Sequence, residues 1–260
     1  MVERFFSASK MEQPNQSDPD PDPIMLLSGP PSCGKSSLLF QFAFNSAMDG
    51  NRNVVFICNR RKLESNPPFL SQGINPSSDT FQSIQMKYVD DDEGIKNYFA
   101  AFHLHDTFPA AVVVDDFGDF FEDRSCQERY NNPRGRDLAM VRTLALCHNA
   151  VNHANKMMPC KLLLSDTHHR DSPRLLFIYK RWVPTIFTIK GGGSGSFILK
   201  SISNSGSGNS VRIRTAKYSI ALQYLILEGI TEDSEHMAGT NAGQIDHAQL
   251  DLIDQSVLKL

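Results

Sequence analysis

The sequence predicts an α/β fold with a mostly parallel sheet and an antiparallel extension on its C-terminal side. Three observations predict it. Short apolar runs alternate with helical patterns from Ile24 to Ser165. Those runs lack polar–apolar alternation, which indicates strands covered on both faces. After Lys180 the rhythm changes to consecutive strands separated by Gly/Ser turns.

Taken in order, Ile24–Gly29 is a short apolar strand ending in glycine, and Ser36–Met48 carries a helical pattern. Asn53–Cys58 is rich in β-branched residues and reads as a strand. Glu93–His105 reads as a helix, Ala110–Asp115 as a buried strand, Asp137–Met158 as a long helix and Lys161–Ser165 as a further strand. Val183–Ile189, Ser196–Ile202 and Val211–Leu227 follow as strands, with turns at Gly191–Gly195 and Asn204–Asn209.

Three regions are expected: an acidic, proline-rich arm (1–23), a core (24–230) and an acidic tail (231–260). Glu12 to Pro23 contains four acids and four prolines and almost nothing apolar, so it cannot offset the entropy of ordering and is expected to be a flexible arm. In the tail, Leu250, Ile253, Val257 and Leu260 fall on one helical face.

Bulk properties exclude several classes. The net charge of −3 is not that of a strongly basic nucleic-acid binder taken as a whole. Five scattered cysteines without a C-x-x-C pair read as reduced thiols of a cytosolic or nuclear protein, and none stands at a zinc-finger spacing from the histidines. No apolar stretch approaches the ~20 residues a membrane span requires, and no signal-peptide pattern is expected at Met1–Lys10.

The most specific motif is Gly29-Pro30-Pro31-Ser32-Cys33-Gly34-Lys35-Ser36, which matches G-x-x-x-x-G-K-[ST]. It lies between a strand and a helix, where backbone N–H groups at a helix N-terminus can cradle phosphates. These eight residues and Ser37 are the expected nucleotide contacts, with ATP and Mg²⁺ as cofactors. Lys35 would hold the β- and γ-phosphates and Ser36 would bind Mg²⁺. Ala110–Val114 runs into Asp115 and Asp116. Asp115, directly after the run, is the expected acid on the Mg²⁺ side, and Asp116 is the second candidate.

With these residues in place, the chain resembles the paralogues of RecA-type recombinases, and among them the ATPase subunits of Shu complexes. The resemblance is carried by Leu26-Leu27-Ser28 into the loop, Ser37–Phe40, Val54–Ile57 followed by Arg60-Arg61 and Leu63, Val112–Asp115, and Tyr179–Pro184. It spans about Ile24 to Leu227. It implies a RecA-like P-loop core and a nuclear role in homologous recombination and DNA repair. It further implies binding to single-stranded DNA and promotion of recombinase filaments, with a SWIM-domain zinc-finger protein and a recombinase or its paralogues as partners.

Such enzymes place a glutamate after the second strand to polarise water. The matching place here is Arg60, which cannot act as a base. Glu64 and Asp116 stand off the expected spacing, so slow hydrolysis is implied. Two rival readings remain: a pseudo-ATPase scaffold, and a small-molecule kinase, for which no lid with paired arginines can be placed.

The resemblance also implies DNA-facing loops after the third and fourth core strands. The first, Asp119–Asp137, contains Arg124, Arg129, Tyr130, Arg134 and Arg136; the second, Asp166–Pro173, contains His168, His169 and Arg170 and is followed by Arg174, with Lys180 and Arg181 beyond. From Arg124 to Arg181 eleven Lys/Arg face four Asp/Glu, whereas from Glu228 onward one Lys faces seven acids. That asymmetry suits a phosphate-facing middle and an acidic end. Phe5-x-x-Ala8 resembles the hook by which recombinases bind one another, although the same pattern recurs at Phe40 and Phe108.

Overall fold

The computed structural model describes residues 1–7, 22–50, 52–122, 124–168, 176–193, 195–204 and 210–236. The helices are α1 (Lys35–Gly50), α2 (Arg60–Ser65), α3 (Asp92–Ala100), α4 (Arg124–Tyr130), α5 (Pro133–Asn155) and α6 (Leu176–Trp182). The strands are β1 (Ile24–Gly29), β2 (Val54–Cys58), β3 (Leu70–Ser71), β4 (Ile84–Tyr88), β5 (Ala111–Val114), β6 (Lys161–Thr167), β7 (Thr185–Gly193), β8 (Ser196–Asn204), β9 (Ser210–Ala221) and β10 (Tyr224–His236). The chain is α/β, as expected. Its strands form one ten-stranded sheet in the order β3-β10-β9-β8-β7-β1-β6-β5-β2-β4. The block from β7 to β4 is parallel, and β8, β9 and β10 extend it as an antiparallel meander.

The apolar runs are continuous because both faces of the parallel block are covered. Leu26, Val112, Val114, Leu162 and Leu164 face one core, built with α3, α5, α6 and the short 3-10 turn Phe117–Phe121. Met25, Leu27, Ala111, Val113 and Leu163 face the other core, built with α1. Residues of each strand thus alternate between two interiors, with no polar face to give a period-2 signal. Among the described residues, no helix is long and apolar enough to cross a membrane.

The structure corrects the expected domain limits at both ends. Residues 1–7 do not belong to a solvated arm. Val2, Phe5 and Phe6 are buried in the core around α1, and Phe5 lies between Phe42 and Phe187. The buried Asn45 amide donates to the carbonyls of Arg4 (2.9 Å) and Phe6 (2.8 Å), which fixes this segment on α1. Phe5 is therefore not displayed as a hook, and Ala8 lies outside the described residues. At the other end β10 runs to His236, past the expected limit at 230, because Arg214 on β9 pairs with Glu232 across the hairpin. The expected terminal helix lies outside the described residues.

Two further departures have local causes. Val211–Leu227 is two strands, joined at Leu222 and Gln223, both with positive φ (52° and 63°). This is a two-residue hairpin turn made without glycine or asparagine, so no turn signal marks it. The stretch expected as the loop Asp119–Asp137 is largely helical, and Pro133 opens α5 behind the N-cap Asn132.

Because Phe5 fills a gap between two aromatic rings, Phe5→Ala should destabilise the protein by about 3–5 kcal/mol. Urea unfolding monitored by circular dichroism measures this; a loss under ~1 kcal/mol would show that the N-terminal segment does not hold the core together.

Candidate nucleotide site

The Gly29–Ser36 motif lies at the carboxyl end of β1. Ser32 and Gly34 both have positive φ (56° and 81°), so the loop coils and turns successive N–H groups inward. A Cβ on Gly34 would lie 2.5 Å from Ile220 Cδ1, and one on Gly29 would lie 2.8 Å from Cys33 Sγ, so neither position has room for a side chain. The meander helps hold the loop, with the buried Tyr218 hydroxyl donating to the Cys33 carbonyl at 2.7 Å. Below it α1 begins with no acid in its first turn, leaving its positive end uncompensated. Lys35 is buried, and its ammonium donates to the Pro30 carbonyl at 3.1 Å. Ser37 does not open toward the loop, since its Oγ accepts from the Phe69 N–H at 2.9 Å.

The acid expected from the sequence lies beside this loop. Asp115 continues β5, its N–H donating to the Ile57 carbonyl. Ser36 Oγ donates to Asp115 Oδ2 at 2.6 Å, joining residues 79 positions apart. Ser165 Oγ donates to Asp115 Oδ1 at 3.0 Å and accepts the Asp116 N–H at 2.8 Å. Asp116 is left-handed (φ 50°), and its Oδ1 accepts from Thr167 Oγ1 at 2.6 Å. Desolvation, and then the Asp116 charge, push the Asp115 carboxyl up to about 6, against the hydrogen bonds from Ser36 and Ser165 and the Lys35 charge. Ser165 and Thr167 were not singled out in the sequence; the signal was the polar Ser165-Asp166-Thr167 ending an otherwise apolar strand.

The residues present fit Mg²⁺ with a nucleotide phosphate. A hydroxyl and a carboxylate one hydrogen bond apart can share one hard cation, directly and through water, beside a cradle of N–H groups. A cleft continues from this point, lined by Cys58, Asn59, Lys62, Leu63, Asp90, Asp115, Asp116, Asp119 and Phe120. Lys62 Nζ donates to Asp119 at 2.7 Å across its mouth. Burial and the Asp115 charge push the Cys58 thiol up to about 12, so it stays neutral. Arg60 is not part of this lining. Its guanidinium stands 4.4 Å from the Tyr88 ring centroid, and the residue that follows β2 into the cleft is Asn59, the N-cap of α2. Asn59, Lys62 and Asp90 escaped sequence reasoning because no spacing rule connects the ends of β2 and β4.

The expected DNA contacts divide. Arg129 is not free for phosphate: its guanidinium pairs with Asp91 and with the buried Asp92, tying α4 to α3. His168 is buried, with Nδ1 2.9 Å from Ser28 Oγ and its N–H on the Gly29 carbonyl, so it belongs to the sheet end and not to a solvent loop. Tyr130 is half-buried and packs against Gly135 in the first turn of α5. Arg124 opens α4. Arg134 is exposed and Arg136 half-buried, both in the first turn of α5. His169, Arg170 and Arg174 lie outside the described residues.

No family model matches the chain, and no curated protein matches it closely enough to indicate kinship.

Asp115→Asn provides a test of the buried carboxylate. The native state binds the Asp115 proton more tightly than the unfolded chain, whose carboxyl titrates near the ordinary aspartate value of 3.8. The metal-free protein therefore loses stability as pH rises from about 4 to about 6 and carries that penalty above it. In a chelator at pH 7, Asp115→Asn should gain on the order of 1–3 kcal/mol and lose this pH dependence. Thermal melts across pH 4–8 read both effects; a variant less stable than wild type at pH 7 would contradict the assignment.

Proposed function

We propose that this chain binds ATP with Mg²⁺ at the loop between β1 and α1 and hydrolyses it slowly, as a RecA-like recombinase paralogue. One observation carries the reading: the Ser36 hydroxyl, at the N-terminus of α1, lies 2.6 Å from the carboxylate that ends β5. A glycine-rich turn with a chance lysine has no reason to face such an acid.

Each residue then has a physical role. The N–H groups of the coiled loop and the Lys35 ammonium take the β- and γ-phosphate oxygens, with Lys35 leaving the Pro30 carbonyl. Ser36 and Asp115 would hold Mg²⁺, which supplies charge neutralisation on the β- and γ-phosphates. Ser165 orients Asp115, and Thr167 orients Asp116. At the end of β2 the cleft presents Asn59, whose Oδ1 caps the Lys62 N–H, and an amide cannot accept a proton; the acids of the cleft, Asp90, Asp115, Asp116 and Asp119, come from other parts of the chain. This supports slow turnover. It also favours a second reading, in which nucleotide is bound to shape a scaffold and is not consumed.

The biological setting is the one that the sequence resemblance implies. On this reading the chain works in the nucleus in homologous recombination and DNA repair, binds single-stranded DNA, and promotes recombinase filaments. Its partners are a SWIM-domain zinc-finger protein and a RecA-type recombinase or its paralogues.

Lys35→Ala should weaken ATP by about 10- to 100-fold, the loss of a charge-assisted contact, with the fold retained. Titration of a fluorescent ATP analogue measures it, and equal affinity would overturn the site. For turnover, wild type should fall well below the ~1–10³ per second of vigorous enzymes. Arg60→Glu should leave the rate unchanged, because that side chain lies on Tyr88, whereas Asn59→Glu should raise it. A phosphate-release assay that finds the reverse order would refute the assignment of Asn59 to the water side.

A further inference from the structure

The geometry points to the outer face of α5 and α6, centred on Phe177, as the surface on which this protein receives single-stranded nucleic acid. The inference rests on the DNA-binding reading above and locates it on the faces of two helices, taking in Arg134 from the first of the expected loops.

The two helices are unusual in charge. Across α5 and α6 the charged residues are Arg134, Arg136, Arg142, Lys180 and Arg181 against a single acid, Asp137, which is half-buried in the first turns of α5. Arg134, Arg142, Lys180 and Arg181 are exposed, and among the described residues none of them is held in an ion pair. Arg129, by contrast, is consumed by Asp91 and Asp92. The cations of this face are therefore available to a polyanion.

The same face carries a large apolar surface. Phe177 is 70% exposed and Leu138 46% exposed. On α6, Phe177, Lys180 and Arg181 share the outward side, while Ile178, Tyr179 and Val183 point into the core. On α5, Arg134, Leu138 and Arg142 follow one another at four-residue spacing.

The helices lie side by side. The His148 ring on α5 meets the Trp182 ring on α6 with centroids 5.7 Å apart. Each helix leads into a strand parallel to β1, so the two run in the same direction. Phe177 stands five residues before Trp182, and at 1.5 Å rise per residue it comes level with the turn of α5 that holds Arg142. An exposed ring is thereby flanked by Arg142 on one helix and Lys180 and Arg181 on its own.

A ring set among unpaired cations matches a chain that alternates flat bases with phosphates. An acidic peptide would satisfy the cations alone and leave the ring without a stacking partner. A duplex keeps its bases stacked inside and offers the ring none. The occupant is therefore single-stranded, with little sequence preference, because stacking and phosphate contacts carry no base code.

Fluorescence anisotropy with a labelled oligothymidylate tests this on the full chain. Phe177→Ala should weaken binding roughly 5- to 100-fold and Phe177→Trp should restore it. Arg142→Gln with Arg181→Gln should lower the slope of log affinity against log salt by about 1.4, two phosphate contacts at ~0.7 each. All variants should bind the fluorescent ATP analogue as wild type does. If wild type binds no oligonucleotide, the DNA-binding reading and this inference both fall. If wild type binds and every variant matches it, the inference alone is overturned. Loss of binding to a polyglutamate peptide with oligonucleotide binding intact would assign the face to an acidic protein, and equal loss on duplex DNA would remove the stacking argument.

Discussion

The hydrogen bond from Ser36 to Asp115 is the contact around which the site is organised, and it depends on the parallel register of the sheet. Strands β1, β6, β5 and β2 run the same way, so their carboxyl ends meet at one edge. Gly29 aligns with Thr167, and Val114 with Leu164. That alignment inserts the Ser165 and Thr167 hydroxyls between the phosphate loop and the two acids. A slip of one residue would turn Asp115 from the cleft into an apolar core. Strands apolar on both faces do not fix this register by hydrophobic pattern; the hydrogen bonds of Ser36, Ser165 and Thr167 to the two acids are what such a slip would lose.

The antiparallel meander supports this edge from the other side. Tyr218 holds the loop carbonyl at Cys33, and Ile220 fills the space that a side chain at Gly34 would need. The N-terminal segment in turn backs the meander, with Phe6 against the Tyr218 ring and Phe5 against Phe187. Residues at the start of the chain and residues beyond 215 are thus joined to the phosphate loop through one layer of aromatic packing. Burial raises the Asp115 carboxyl above the usual aspartate range, and this packed frame holds it beside the loop.

Much of this was legible in the sequence, and for clear reasons. The phosphate loop, the strand before it and the acid after β5 are each short, local and chemically extreme. The apolar runs marked the parallel strands because two covered faces suppress polar residues. What escaped notice depended on distance along the chain. The burial of Phe5 and Phe6 was hidden by the acidic, proline-rich stretch that follows them. The turn at Leu222 and Gln223 uses residues that announce no turn. In the sequence Arg129 and His168 look solvent-facing, because their partners, Asp92 and Ser28, come from distant helices and strands. Arg60 has the spacing that the resemblance implies, but its guanidinium lies on Tyr88, whereas Asn59, which caps α2 at the Lys62 N–H, lines the cleft.

The proposed nucleotide and its Mg²⁺ would lie between the loop after β1 and the acid after β5. Hydrogen exchange read by mass spectrometry, with and without saturating Mg²⁺–ATP, tests it on the intact protein. Amides in the loop and the first turn of α1, from Cys33 to Leu38, should slow as their N–H groups take phosphate oxygens. The segment around Asp115 and Asp116 should slow with them, and only when Mg²⁺ is present. Nucleotide binding that leaves both segments unchanged, or that slows the loop equally in a chelator, would contradict the account.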